Sequence, residues 1–390
     1  MLIASSLACN IQETPKVPKT VVQWHWTDCF AELEKLPFDS LGLGSYTPSG
    51  VVLKGVSGLR SEKYVLFVPT LSELLVYNAE KAEIEQVFSL PNDDNLKPRL
   101  LEVVNLDSII VFKKETQTLL IADRDSVVHS VSLVLSAVQD PPHLMIQPVF
   151  ARMVELDGYH GLSTWINYGE GGLEVDYDSL MDKRNMAVFF KVQGDTVCRR
   201  DIPIKPILRR TTFQDSVFMD QPFLEVDSKR RKVLVHHVSS DTVMTYSWDD
   251  EQVVKHVVTG SDVVLNPAKV PKRESAYQIR AAYESQERGY HRIYFDDATG
   301  YYVRELVKMF PINALTGLAE RSDIRKVQVL NSDFEVLAEM DLPEEIKFSG
   351  RIGASVFLNE ADNQQRIWTL YKFDFKKDLS LEGTKAEWNH

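Results

Sequence analysis

Apolar residues along this chain gather in short runs separated by polar turns. Between Lys63 and Leu90 three runs follow one another: YVLFV (Tyr64–Val68) and LLVYN (Leu74–Asn78) are nearly continuous, and IEQVFSL (Ile84–Leu90) alternates. Runs of this length, rich in β-branched and aromatic residues and bounded by turn residues, predict β-strands. The same pattern returns as SIIVF (Ser108–Phe112), LLIAD (Leu119–Asp123) and VVHSVSL (Val127–Leu133). A repeated group of strands decides the fold more firmly than any single strand does.

The repeat continues with less regularity. A third unit is read from Val149–Leu156, Leu162–Tyr168, Ala187–Phe190 and Thr196–Ile204, and a cleaner fourth from Phe223–Val226, Lys232–Val238, Val243–Trp248 and Gln252–Val258. His291–Phe295, Tyr301–Val307, Val327–Asn331 and Phe334–Leu342 make a fifth, and Ser355–Asn359 with Arg366–Phe375 a sixth that is short of strands. Matching strands begin at residues 74, 119, 187, 243, 327 and 367, a spacing that fits propeller blades of about 40 to 50 residues with insertions. Asp262–Arg288 reads as a polar, helix-tolerant crossing between units, and Asp28–Leu36 as a short helical turn.

Val21–Trp26 (VVQWHW) alternates like a lone strand with no hairpin partner beside it. The expected fold is therefore all-β: a six-bladed β-propeller of four-stranded antiparallel blades, with this N-terminal strand completing the last blade. Stacking blades around an axis buries both faces of each sheet and leaves few open edges. A pair of packed sheets is the alternative, but it has no reason to repeat at this period. The chain divides into a leader and tether over 1–20, one propeller over 21–380 and a tail over 381–390.

Composition agrees with a folded chain: 390 residues, 44% apolar and 26% charged. A net charge of −12 argues against nucleic acid as a partner, since phosphate binding needs a concentrated basic surface. The basic pairs and runs, Arg209 with Arg210 and Lys229–Lys232, fall at expected turns and read as solvated loop charge. Three cysteines, Cys9, Cys29 and Cys198, are too few and too scattered for a zinc cluster or a disulfide framework. Cys9 stands apart, because Ser6-Leu7-Ala8-Cys9 closes a short apolar stretch in the manner of a bacterial lipobox. The stretch departs from the usual form in having Ser6 at position −3 and no preceding Lys or Arg. On this reading Cys9 carries a lipid and Asn10–Thr20, with Pro15 and Pro18, is the tether.

The LLVYN and VQVLN strands, the segment YHRIYFDDATGYYVRELV (290–307), the strand pair ending in Asp341-Leu342-Pro343 and the lipobox-like start together resemble a bacterial lipoprotein family built on a six-bladed β-propeller domain of unknown function. The resemblance covers the chain from about Gly50 onward as pattern and not as a strict motif. It implies a propeller held outside the cytoplasm, in the periplasm or at the outer membrane, by a lipid anchor. No activity comes with it.

Catalytic templates fail one after another. Gly42-Leu43-Gly44 lacks the third glycine of a dinucleotide fingerprint, and Gly55-Val56-Ser57-Gly58 is followed by Leu59 where a nucleophile elbow needs glycine. His236 and His237 are neighbours on a strand, point to opposite faces and cannot share a metal; one is read as packed or channel-facing, the other as solvated. Glu174, Asp176 and Asp178 alternate along an acidic run and offer the oxygen-rich chemistry that calcium takes, although an exposed acidic loop has the same composition. Tyr159, His160, Trp165 and Tyr168 form an aromatic insertion suited to stacking a sugar or gripping a peptide, or to packing between blades. Asp296-Asp297 precedes a hairpin turn at Gly300, and paired carboxylates facing the channel are what glycosidase chemistry would use. The reading favours a non-enzymatic, monomeric, lipid-anchored propeller that binds a protein or glycan partner without a cofactor, calcium excepted. Its rival is an extracytoplasmic hydrolase or lyase acting on a polysaccharide or peptide in the channel.

Overall fold

A computed structural model of the chain describes residues 22–37, 154–166, 185–193, 196–205, 222–259, 285–312, 321–352 and 354–375, the separate strands of the first two sheets, three short strands elsewhere and a few single residues. The fold is all-β, with four-stranded antiparallel sheets in a propeller arrangement. Four sheets have four strands, two have five, and Ser216–Phe218 pairs with Lys269–Pro271 as a separate ribbon. That ribbon and the strand beginning at Arg288 occupy part of the segment expected to be a helix-tolerant crossing.

Chain order and spatial order coincide in the first, second and fourth sheets. The first runs Val52–Lys54, Lys63–Val68, Glu73–Asn78 and Glu83–Ser89, so the opening three runs are its outer strands. The second runs from Arg99–Asn105 to Val127–Ser132. In the third, Leu144–Ile146 and Val154–Leu156 both pair with Tyr159–Ile166, at opposite ends of it. The fourth is Pro222–Asp227, Lys232–His237, Thr242–Ser247 and Val253–Val257.

Burial along the fourth sheet shows how a blade sits in the ring. All six residues of Pro222–Asp227 are buried, whereas Val253–Val257 is almost wholly exposed. The first strand must therefore be packed on both faces, which explains its unbroken apolar and paired-polar sequence. One face puts Leu224, Val226, Val233, Val235 and Tyr246 against Val154, Leu156, Phe189 and Ile202 of the third sheet. The other puts Leu234 and Val243 against Ile293, Phe295, Tyr302 and Leu330 of the fifth. Gly161 belongs to this packing, because a Cβ there would lie 2.5 Å from the buried Phe189 ring.

First strands of successive sheets lie side by side: Pro222–Asp227 beside Arg288–Phe295, that strand beside Ile346–Ile352, and Ile346–Ile352 beside Val52–Lys54 of the first sheet. The last sheet thus meets the first. Closure uses the N-terminus, but not in the expected way. Val22–Gln23 adds in parallel to Val336–Leu342 at the outer edge of the fifth sheet. After a single turn at Trp26–Asp28, Phe30–Pro37 pairs with Ile367–Phe373 in the sixth sheet. Hence VVQWHW does not complete the last sheet, and Asp28–Leu36 is mostly strand instead of helical turn. Buried Trp26 and Cys29 anchor the crossing, with the Trp26 ring edge-on to Tyr371 at 4.8 Å. Burial, reinforced by Asp28, pushes the Cys29 thiol up to about 12, so it is an inert core residue.

Candidate functional site

The first strands run in one direction, and their two ends differ chemically. At the Asp227 end every well-placed carboxylate is engaged by the scaffold. Asp227 accepts hydrogen bonds from the Tyr302 hydroxyl and Arg230 Nη1, both at 2.6 Å, and from the Arg230 amide at 2.8 Å. Asp296 accepts from the Thr299 amide and hydroxyl and, across sheets, from the Val356 amide, each at 2.8 Å. Arg351 of the sixth sheet reaches Glu225 of the fourth at 3.3 Å and Asp297 of the fifth at 2.7 Å. Arg231 pairs with Asp157 of the third sheet at 2.7 Å and with Asp249 at 2.8 Å. These contacts tie together the hairpins of four consecutive sheets. Arg230 and Arg231 are consequently ion-paired links, not the solvated charge expected of Lys229–Lys232. Asp296-Asp297 does open a turn, with Gly300 at φ +82°, but both acids hold the frame.

Higher on the fifth sheet the arrangement is less complete. Tyr290 and Arg292 share a face of the first strand, and Arg292 stands opposite Glu305 on the second. Arg325 on the third strand lies opposite Val307, hence diagonal to Glu305 on that face. The Glu305 side chain is 3% exposed, against 28% for Arg292 and 20% for Arg325. Its nearest cations are Arg292 Nη1 at 3.8 Å and Arg325 Nη1 at 4.0 Å, beyond hydrogen-bond length. Oε2 of Glu305 accepts no hydrogen bond among the described residues. Burial raises its pKa from the ordinary carboxylate value, and the two arginines only partly offset that. Arg292 lies over the half-buried Tyr290 ring at 5.4 Å. Burial and Glu305 push that phenol up to about 12, so it is neutral and can donate.

The reverse face of the same strands is a satisfied polar ladder. Arg304, Gln328, Glu339 and Gln23 stand opposite one another across four strands. Arg304 donates to His291 Nδ1 at 2.8 Å, Gln328 Oε1 at 3.1 Å, the Val258 carbonyl at 3.3 Å and Asp241 at 2.6 Å. Gln328 in turn donates to Glu339 at 2.7 Å. His291 keeps its proton on Nε2, facing the His237 carbonyl at 3.1 Å, and its ring packs 4.3 Å from that of His236. His236 and His237 do occupy opposite faces, but both are fully buried, so neither is the solvated histidine that was expected.

Of the residues singled out from sequence, Tyr159 and His160 are neighbours on one strand and do not share a surface. Tyr159 packs edge-on to Trp248 at 5.5 Å, with Lys191 over its ring at 5.4 Å, which is blade-to-blade packing. His160 is paired across strands with Glu155 and Phe190, and its pKa is lowered by burial, with Glu155 opposing. The Trp165 side chain, Tyr168, Glu174, Asp176, Asp178 and Cys9 lie outside the described residues. Among the described residues no group of three or more His, Cys, Asp or Glu is placed to hold a metal, and no helix is long and apolar enough to cross a membrane. Sequence reasoning missed Arg292, Glu305 and Arg325. The available signal was the charge alternation in YHRIYF and YYVRELV, where apolar residues were expected on both faces.

Fold and site define a β-propeller with a cationic, aromatic cluster on the first strands of its fifth sheet. No family model and no curated protein matches the chain. Among solved structures it is similar to a member of the DUF4221 family from Bacteroides vulgatus, at 14% identity over 89% of this chain and 98% of that one, TM-score 0.65. That likeness shows the fold alone. A putative exported protein from Bacteroides fragilis matches at 10% identity over 89% and 94% of the two chains, TM-score 0.44, and a calcium-binding regucalcin from Agrobacterium tumefaciens at 12% over 83% and 92%, TM-score 0.41. Scores below 0.5 carry no argument here.

Proposed function

We propose that the chain is an extracytoplasmic binding protein: a six-bladed propeller, lipid-anchored through Cys9, that holds a protein or glycan partner and turns nothing over. Six sheets of four or five strands, the adjacency of last to first and the pairing of Phe30–Pro37 with Ile367–Phe373 support six blades in a closed ring. The observation that carries the binding role is the contrast between the two ends. Acids that could serve in catalysis are engaged by Arg230, Arg231, Arg351 and backbone amides, while Arg292, Arg325 and Tyr290 surround Glu305, whose Oε2 has no hydrogen-bond partner among the described residues. A buried, incompletely paired ionisable group on an inner strand marks a candidate site.

Protein expressed from Thr20 onward is expected to retain a ligand in a glycan and peptide screen, with saturable binding and no product. Saturating turnover of a polysaccharide or peptide, with no stable complex, would replace this reading by the hydrolase or lyase one. The anchor is checked on the full chain by mass spectrometry of the membrane fraction. A diacylglyceryl mass on Cys9 is expected, and an unmodified Cys9 removes the anchor. Calcium at Glu174, Asp176 and Asp178 remains a separate proposal, resting on ligand chemistry alone.

A further inference from the structure

We infer that Arg292, Arg325, Glu305 and Tyr290 form the recognition subsite for an acidic sugar, a uronate unit of a polysaccharide; this deepens the binding reading above and rests on it. Three features of the cluster each ask for a different part of one ligand. Arg325 has Asp323 at 3.7 Å and Glu305 at 4.0 Å, so neither carboxylate satisfies its guanidinium at hydrogen-bond length. Two partly exposed guanidiniums on adjacent rows of one sheet face present donor forks suited to a planar carboxylate. Glu305 Oε2 is buried and has no hydrogen-bond partner among the described residues, which leaves it to pair with a ligand hydroxyl. Tyr290 is half-buried, with an aromatic face and a neutral hydroxyl.

A uronate carries the three complements on a single rigid ring: a carboxylate for the arginines, a vicinal hydroxyl for Glu305 and a C–H face for Tyr290. An acidic peptide side chain supplies the carboxylate without the adjacent hydroxyl. A neutral sugar supplies the hydroxyl and brings no carboxylate to the guanidiniums.

The test is isothermal titration of the protein from Thr20 onward with a short oligogalacturonate, the same oligomer reduced at its carboxyls, a neutral oligosaccharide of equal length and a poly-glutamate peptide. Saturable binding of the oligogalacturonate is expected, at least tenfold weaker after carboxyl reduction with the protein unchanged. Arg292→Gln and Arg325→Gln are each expected to weaken it at least tenfold and, by removing a cation beside the buried Glu305, to lower the thermal midpoint as well, and Arg292→Lys to weaken it less than Arg292→Gln. The ligand-side comparison keeps the inference testable if one variant folds poorly. Equal affinity for acidic and reduced oligomers, or arginine variants that bind as wild type, overturns the uronate inference and leaves the binding role standing. Preference for the peptide overturns it in the same way, whereas turnover with no stable complex removes both.

Discussion

Replacing Arg304 with methionine is expected to destabilise the protein by about 3–5 kcal/mol, the scale for breaking a buried charged network by removing one partner. Arg304 is fully buried and serves four acceptors on four segments: His291, Gln328, Asp241 and the Val258 carbonyl. Methionine fills much of the volume but donates nothing. The cost therefore comes from acceptors stranded at the interface of the fourth and fifth sheets, not from a cavity. Half-exposed Asp241 can turn to water, whereas His291 Nδ1 and Gln328 Oε1 cannot. Adding Gln328→Leu should then cost less than it does alone, with a coupling of about 0.5–3 kcal/mol, because its oxygen has already lost its donor. Denaturant midpoints of wild type, both single variants and the double variant measure this. A loss below about 1 kcal/mol for Arg304→Met would mean the network contributes little.

The sheets themselves were legible because strand patterning is local. LLVYN, KVLVHHV and VQVLN are each a short apolar run with valine or an aromatic, bounded by polar residues, and are recognised without neighbours. Ile346–Ile352 was overlooked, since Lys347, Ser349, Gly350 and Arg351 interrupt its apolar pattern. Those interruptions have tertiary causes: Arg351 crosses to Glu225, and Gly350 at φ +88° lies where a Cβ would touch Tyr294 at 3.4 Å. The N-terminal misreading has the same origin. FAELEKLP carries three charges at helix-compatible spacing, yet it lies as an outer strand whose Glu32, Leu33 and Lys35 face solvent. Its strand state is imposed by pairing with Ile367–Phe373 and not by propensity.

The cluster at Glu305 was illegible for a different reason. Isolated charges within YHRIYF and YYVRELV look like the solvent side of half-exposed strands. Only register reveals that Arg292 faces Glu305, that Arg325 is diagonal to it and that Arg304 points the other way. A sheet buried on both faces converts such charges into partners that must be satisfied, and Glu305 Oε2, without a partner among the described residues, becomes informative. Tyr159 misled in the converse way, since an aromatic in an inserted segment is also what a gap between blades requires.

Between pH 7 and pH 5 the protein is expected to lose stability, and the buried His236–His291 pair should account for the loss. Burial holds both imidazoles below the ordinary value: His236 falls to about 3, and His291 is lowered further by Arg304 and His236. His236 Nδ1 faces the His237 carbonyl at 3.3 Å, while Nε2 has no partner among the described residues, so a proton there would be a bare charge. Protonated His291 would in addition lose the lone pair that receives Arg304. The unfolded chain binds protons below about pH 6.5 and the folded one does not, so stability is full above that value and falls as pH drops toward 3. Each histidine contributes about 1.4 kcal/mol per pH unit in that window, or about 2 kcal/mol at pH 5. Glu305 and Asp296, whose pKa values are raised by burial, act in the opposite sense, and His237, Arg292, Arg304 and Asp241 complete the charges around the pair. His236→Leu isolates the imidazole contribution, because it removes one titrating group and leaves those acids in place. Urea midpoints measured from pH 7.5 to 5 should fall steeply for wild type and with roughly half the slope for the variant. Parallel slopes for the two proteins would show that the pair is not held neutral and that acid acts elsewhere.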